Sequence, residues 1–108
     1  VINVFRHHKK CGQTIEVTGD GEQRRDFVHV NDVVEANYLA AISNKSGHVF
    51  NVGTGKTTSI NELAGMLANS WTYIPERIGE PRISHADISK IRDELSWKPR
   101  LTLKKNIE

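Results

Sequence analysis

The stretch Asn51-Val52-Gly53-Thr54-Gly55-Lys56-Thr57-Thr58 has glycines, a lysine and threonines in an order that invites a phosphate loop. A triphosphate-binding loop requires G-x-x-x-x-G-K-[ST], which would put its first glycine at position 50, and that residue is Phe50. The dinucleotide fingerprint G-x-G-x-x-G fails too, because its third glycine would fall on Thr58. Gly53, Thr54 and Gly55 are therefore read as a tight turn between a strand and a helix. Nucleotide hydrolysis abolished by Lys56→Ala would be the mark of the rejected reading.

The histidines at 7, 8, 29, 48 and 85 are scattered, and only His7 and His8 adjoin. Neighbouring positions on a helix diverge too far to share a metal, so surface histidines are expected. Cys11 is assigned no histidine partner and is read as structural. Tyr38 is followed four residues later by Ile42, and Tyr73 by Arg77, so the chain lacks a Tyr-x-x-x-Lys pair for proton transfer.

The elements that would hold functional side chains follow from periodicity. Val1, Ile2 and Phe5 predict a first helix that ends near Gly12. Ile15 and Val17 predict a strand, GDG at 19–21 a turn, and Phe27, Val28 and Val30 a second extended run. A helix is expected from Asp32, with Asp32 as its cap, Glu35 as the reciprocal partner, and Val34, Tyr38, Ala41 and Ile42 on one face. Val49, Phe50 and Val52 predict a compact strand. Ser59 and Glu62 form a second capping box ahead of Ile60, Leu63, Ala64, Leu67 and Ala68. Trp71–Ile74 reads as extended, and a last helix runs from about Ile88 to Leu95 with Asp87 as cap. The order is α/β, with short strands and about four helices, and offers little sign of a self-sufficient parallel sheet.

With 108 residues, the chain has room for one small domain, 1–108. Its net charge of +2, with 15 basic and 13 acidic residues interspersed, gives no footprint for nucleic acid. No apolar run is long enough to predict a membrane span. One cysteine excludes an internal disulfide and points to a reducing compartment, the cytoplasm. The chain starts at Val1 and stops within the amphipathic stretch of Leu101, Leu103 and Ile107, so it is expected to be part of a longer protein.

Three segments carry a more specific signal: GDGEQRRDFVHVNDVVEA (19–36), FNVGTGKTTSINELA (50–64), and RIGEPRISHADISK (77–90) followed by LSWKP (95–99). In this order they resemble the C-terminal, substrate-binding part of extended short-chain dehydrogenase/reductases of the NAD-dependent epimerase/dehydratase family, above all UDP-hexose 4-epimerases. The resemblance implies a missing N-terminal Rossmann domain that binds NAD and carries the catalytic Tyr-x-x-x-Lys, removing a hydroxyl proton as hydride passes from C4 of the sugar. The segment alone is then expected to bind a UDP-sugar without turning it over, and its parent to be a homodimer.

A UDP-sugar presents a diphosphate of about two negative charges, which suits arginine's planar fork better than lysine's point charge. The resemblance implies that Arg25, in Arg25-Asp26-Phe27, and Arg77 contact this diphosphate, and that Glu80 accepts hydrogen bonds from ribose hydroxyls. Read without the resemblance, Arg25 is suited to pair with Asp26 or Glu22, and Arg77 with Glu80. Asp26, Asp32 and Asp87 are read as scaffold, as are Phe50, Asn51 and Gly53, and Trp97 and Pro99 as a packed helix exit. Ser84 stands where epimerases restricted to unacetylated hexoses have a tyrosine, which implies space for an N-acetyl group. Small residues at that position also fit dehydratases and decarboxylases. A 4,6-dehydratase, a decarboxylase or a non-catalytic nucleotide-binding module therefore remain alternatives.

Overall fold

Helical and alternating periods place several elements where the sequence predicts them. In the computed structural model, which describes residues 1–107, helix α1 spans Ile2–Lys10 and strand β1 spans Ile15–Thr18. Helix α3, Ile60–Leu67, opens on the predicted capping box. The Glu62 amide donates to Ser59 Oγ at 3.0 Å, and the Ser59 amide donates to Glu62 Oε2 at 2.7 Å. That Ser59 amide, more than the nearby Arg24, holds the Glu62 carboxyl below its ordinary range.

The chain forms two units, each assembled from separate stretches of sequence. Unit 1 comprises residues 1–25, 58–84 and Ile107, and unit 2 comprises residues 26–57 and 85–106. In unit 1, β1 pairs in parallel with β4 (Trp71–Ile74), placing Ile15 opposite Trp71 and Thr18 opposite Ile74. Ile15 and Val17 are buried while Glu16 is exposed, as the period of two requires. Helices α1 and α3 pack against β1, and the core gathers Phe5, Ile15, Val17, Leu63, Ala64 and Leu67. Each large aliphatic side chain so buried contributes about 1.5–3 kcal/mol. The Arg6 guanidinium donates to the Ile107 carbonyl, with Nε at 2.8 Å.

The second sheet of unit 1 is short, but it positions the candidate site. Its central strand β2 (Arg24–Arg25) runs antiparallel to β3 (Thr58–Ser59) and parallel to β5 (Ile83–Ser84). The register sets Arg25 opposite Thr58 on one side and Ser84 on the other.

Unit 2 is built from α2 (Val30–Ile42), α4 (Ser89–Leu95) and the one-turn α5 (Leu103–Asn106) around Ala36, Ile91 and Trp97. Leu39, Phe50, Val52, Ile88 and Leu95 pack against that core. Trp97, which is 1% exposed, donates from Nε1 to the Asp32 carbonyl at 3.0 Å. The chain leaves α4 through Ser96, a non-glycine residue at φ +53, and the buried Trp97 that follows makes this a packed helix exit.

The structure corrects several expectations. There are five helices rather than about four among the described residues, the added one being α5. Helix α2 begins at Val30, so the second extended run at 27–30 does not form; β2 lies earlier, at 24–25. Its cap is His29, whose Nδ1 accepts from the Asn31 amide at 3.1 Å. Asp32 is instead buried inside the first turn, where its Oδ2 accepts the amides of Arg100 (3.2 Å) and Leu101 (3.0 Å). A carboxylate enclosed this far needs such donors, and residues far along the chain supply them. The face of α2 carrying Val34, Tyr38 and Ile42 is exposed (59%, 62% and 62%), because Ala36 and Leu39 do the packing. Residues 49–52 form no ladder, although Phe50 and Val52 pack on the core. Helix α4 starts at Ser89, one residue later than expected. Asp87 still holds its first amide, with Oδ1 accepting from Ser89 N at 2.9 Å and Ser89 Oγ at 2.6 Å. Cys11 does have a histidine neighbour: Sγ lies 3.8 Å from His7 Nε2, one helical turn away. Among the described residues no group of three metal-ligating side chains forms, and no helix is long and apolar enough to cross a membrane.

Candidate functional site

The GDG turn of unit 1 organises a cluster of charges. Gly21 takes φ +75, and a side chain there would overlap the Asn61 carboxamide, so glycine is required twice over. Asn61 Nδ2 donates to the Asp20 carbonyl at 3.0 Å and to Glu22 Oε1 at 2.6 Å, fastening the turn to α3. The turn aims Asp20 at Arg82, which donates to it in a two-pronged pair at 2.8 and 2.9 Å. Arg82, followed by the Glu22 amide, draws the Asp20 carboxyl down to about 2.

A cavity of about 60 Å³ lies beside this turn, lined by Thr18, Gly19, Asp20, Gln23, Glu76, Arg77, Glu80, Pro81 and Arg82. Its scaffold includes Gln23, a buried side chain whose Nε2 donates to the Thr18 carbonyl at 2.9 Å. The cavity has room for a phosphoryl-sized group but not a sugar nucleotide, since pockets for whole small molecules run to about 300–1,000 Å³.

Arg77 and Glu80 share a wall of this cavity, and the Glu80 amide donates to the Arg77 carbonyl at 3.4 Å. Arg25 does not line the cavity. It is joined to it by an ion pair from Nη2 to Glu80 Oε1 at 3.1 Å, while its Nη1 donates to the Arg24 carbonyl at 2.8 Å. So Arg25 pairs with Glu80 rather than with Asp26 or Glu22, and Glu80 takes Arg25 rather than Arg77. The Arg77 guanidinium has no ion-pair partner among the described residues. Ser84 is exposed on β5 beside Arg25 in the sheet.

Sequence reasoning missed Asp20 and Arg82. The available signal was the alternation Glu80, Arg82, Ser84, which puts three polar residues on one side of an extended segment, together with an acid between two turn glycines.

Unit 2 shows why its glycine loop is not a phosphate cradle. Asp26 accepts the Thr54 amide at 2.8 Å, the Thr54 hydroxyl at 2.6 Å and the Gly55 amide at 2.9 Å. The Lys56 amide donates to Thr54 Oγ1 at 3.1 Å. These three backbone donors are therefore committed within the protein, whereas a pyrophosphate loop must present such donors to its ligand. A Cβ at Gly53 would stand 2.6 Å from the Ala86 Cβ and 2.7 Å from Asp26 Oδ2. Asp26 and Gly53 are scaffold, as the sequence suggested, and this loop does not fit a dinucleotide.

Residues 1–53 match the NAD dependent epimerase/dehydratase family. Over its whole length the chain is 38% identical to a putative UDP-glucose 4-epimerase of Methanocaldococcus jannaschii, of which it covers 36%. The structure superposes on the UDP-glucose 4-epimerase of Thermotoga maritima, solved with UDP-glucose, at a TM-score of 0.91 and 34% identity, over 98% of this chain and 36% of that one. A UDP-N-acetylglucosamine 4-epimerase from Methanobrevibacter ruminantium M1, in complex with UDP-N-acetylmuramic acid, gives 0.90 and 35%, over 99% of this chain and 36% of that one. The chain thus spans about a third of the length of the relatives it matches. dTDP-glucose 4,6-dehydratases are among those relatives, and homologous structures hold NAD. The charged turn and the Asp26-braced loop therefore sit in a chain homologous to NAD-dependent nucleotide-sugar epimerases and dehydratases.

Proposed function

We propose that this chain is the C-terminal, nucleotide-sugar-binding part of an NAD-dependent sugar 4-epimerase, acting on a UDP-hexose or UDP-N-acetylhexosamine. One observation carries the reading: Glu80 stands between the cavity that Arg77 lines and the guanidinium of Arg25. Of the three acids around that cavity, Asp20 is neutralised by Arg82 and Glu80 by Arg25, while Glu76 makes no ion pair among the described residues. Arg77 stays uncommitted and available to a phosphate oxygen. Arg25 becomes available when a ribose hydroxyl or a phosphate replaces one end of its pair with Glu80. The pair's side chains are 20% and 35% exposed, so the exchange is offset by the hydrogen bonds that the incoming group supplies.

The groups of this chain bind and orient; proton and hydride transfer belong to the remainder of the parent, where NAD supplies the redox chemistry. Anchoring the diphosphate fixes the sugar's position, and positioning is a large share of catalysis for a reaction with no metal or covalent step. Calorimetric titration of the chain with UDP tests this. Saturable binding is expected, weakened at least tenfold in Arg77→Ala and somewhat less in Arg25→Ala. Binding indifferent to both substitutions overturns the site.

Ser84, small and exposed beside Arg25, supports acceptance of an N-acetyl group. In the full-length parent, Ser84→Tyr is expected to lower turnover of UDP-N-acetylglucosamine while sparing UDP-glucose; unchanged N-acetyl turnover removes that assignment. The 32% identity to a dTDP-glucose 4,6-dehydratase from Streptomyces niveus favours a second reading, a dehydratase with the same anchor. Tighter binding of dTDP than of UDP would favour it.

A further inference from the structure

We propose that unit 2 carries a separate binding site for a small phosphate monoester with an apolar body, in the cleft between the glycine loop and the start of α4. The cleft measures about 550 Å³, well within the range of small-molecule pockets, and is bordered by Lys56, His85, Ala86, Asp87, Ile88 and Arg92. All of these residues belong to unit 2, so the site is independent of the nucleotide-sugar reading, which rests on unit 1.

The charges around the cleft favour an anion. Lys56 and Arg92 bring two basic side chains, and neither has a hydrogen-bond or ion-pair partner among the described residues. Among the described residues the one acid lining the cleft is Asp87, whose Oδ1 is already occupied by the amide and hydroxyl of Ser89. Those two bonds, ahead of the charges of Arg92 and His85, hold the Asp87 carboxyl below its usual range, so it carries its charge at neutral pH. Two cations against one carboxylate leave a net positive rim that favours an anion, and a phosphate brings three terminal oxygens to the donors of Lys56 and Arg92 where a carboxylate brings two.

The walls are prearranged. The Asp26 carboxylate fixes the loop through Thr54 and Gly55, which sets the starting point of Lys56. His85 Nε2 lies 2.7 Å from the Gly55 carbonyl oxygen. A carbonyl only accepts, so that nitrogen carries the proton and the imidazole is oriented by the same loop. Side chains therefore have to supply the donors for a ligand, because the amides of Thr54 and Gly55 are committed to Asp26 and that of Lys56 to Thr54 Oγ1. This separates the site from a triphosphate loop.

The floor is apolar. Ile88 is half-buried, packs on the Ala36, Ile91 and Trp97 core, and comes within 3.3 Å of where a Cβ on Gly55 would stand. With Ala86 it offers a hydrocarbon surface beneath the basic rim. The cleft is far larger than a bare phosphate needs, so the ligand extends beyond its phosphate over this floor.

The test is a titration of the 108-residue chain with phenyl phosphate, inorganic phosphate and benzoate, followed by amide NMR shifts. Phenyl phosphate is expected to saturate with shifts confined to residues 54–57 and 85–92. It should bind at least about threefold tighter than inorganic phosphate and about tenfold tighter than benzoate. Lys56→Ala and Arg92→Ala should each weaken it about fivefold, while Asp87→Asn should strengthen it about twofold and added salt weaken it. Lys56 and Arg92 are exposed, so unchanged amide spectra elsewhere report an intact fold. Shifts that do not saturate, or that ignore Lys56→Ala and Arg92→Ala, overturn the site. Equal binding of benzoate overturns the phosphate, and equal binding of inorganic phosphate overturns the apolar body. A UDP response limited to residues 76–84 tests the other proposal and leaves this one standing.

Discussion

Two glycine turns, each bound up with an aspartate, serve opposite purposes in this chain. At Gly19-Asp20-Gly21 the carboxylate faces outward and holds the guanidinium of Arg82 beside a cavity. At Gly53-Thr54-Gly55 the carboxylate of Asp26 comes from a distant segment and takes up the loop's own amides. The first arrangement leaves charge beside a cavity; the second consumes donors to make a rigid bracket. Glycine content therefore says little about phosphate binding until the destination of the loop amides is known.

The contrast can be broken most forcefully at Asp26. Asp26→Ala removes a charged acceptor from two amides and a hydroxyl, and should lower stability by about 2–3 kcal/mol in urea denaturation. If the loss were only a few tenths, the bracket would be incidental. A smaller effect is expected at Gly21, where Gly21→Ala imposes a side chain at positive φ against Asn61 and should cost about 1–2 kcal/mol by the same measurement. No loss would show that Asn61 moves aside freely.

The gentlest test concerns Asp20. Its folded-state value of about 2 lies below the ordinary 3.8, so the ionised form is favoured by folding. The stabilisation is complete above roughly pH 4 and is lost as the pH falls through about 2. In Arg82→Ala the carboxyl titration, followed by NMR, should move up toward the ordinary value. An unmoved titration would place the cause in the Glu22 amide instead.

What was legible in the sequence was local. Ser59 and Glu62 lie three residues apart and complete their capping box without outside help, and the period of two at Ile15 and Val17 needed only a covering helix. The failures share a different cause. Asp32 has the residue type and position of a cap, yet its partners are Arg100 and Leu101, and nothing near it in sequence announces them. Residues 49–52 have the pattern of a strand, but a ladder requires a neighbour that the pattern does not specify. In the candidate site, Arg25 and Glu80 were visible as residue types, whereas their pairing, and the part played by Arg82, depended on the register of β2 against β5.

The long reach of the Asp32 carboxylate bears on how the chain is made. A ribosome will have released nearly all of this sequence before the two amides that carboxylate requires exist, and the carbonyl held by Arg6 arrives later still. Neither half can close until its last segment has been made, and until then its acid and arginine wait for their partners. Loop closure over spans of 68 and 101 residues is slow, so these two contacts form late in folding.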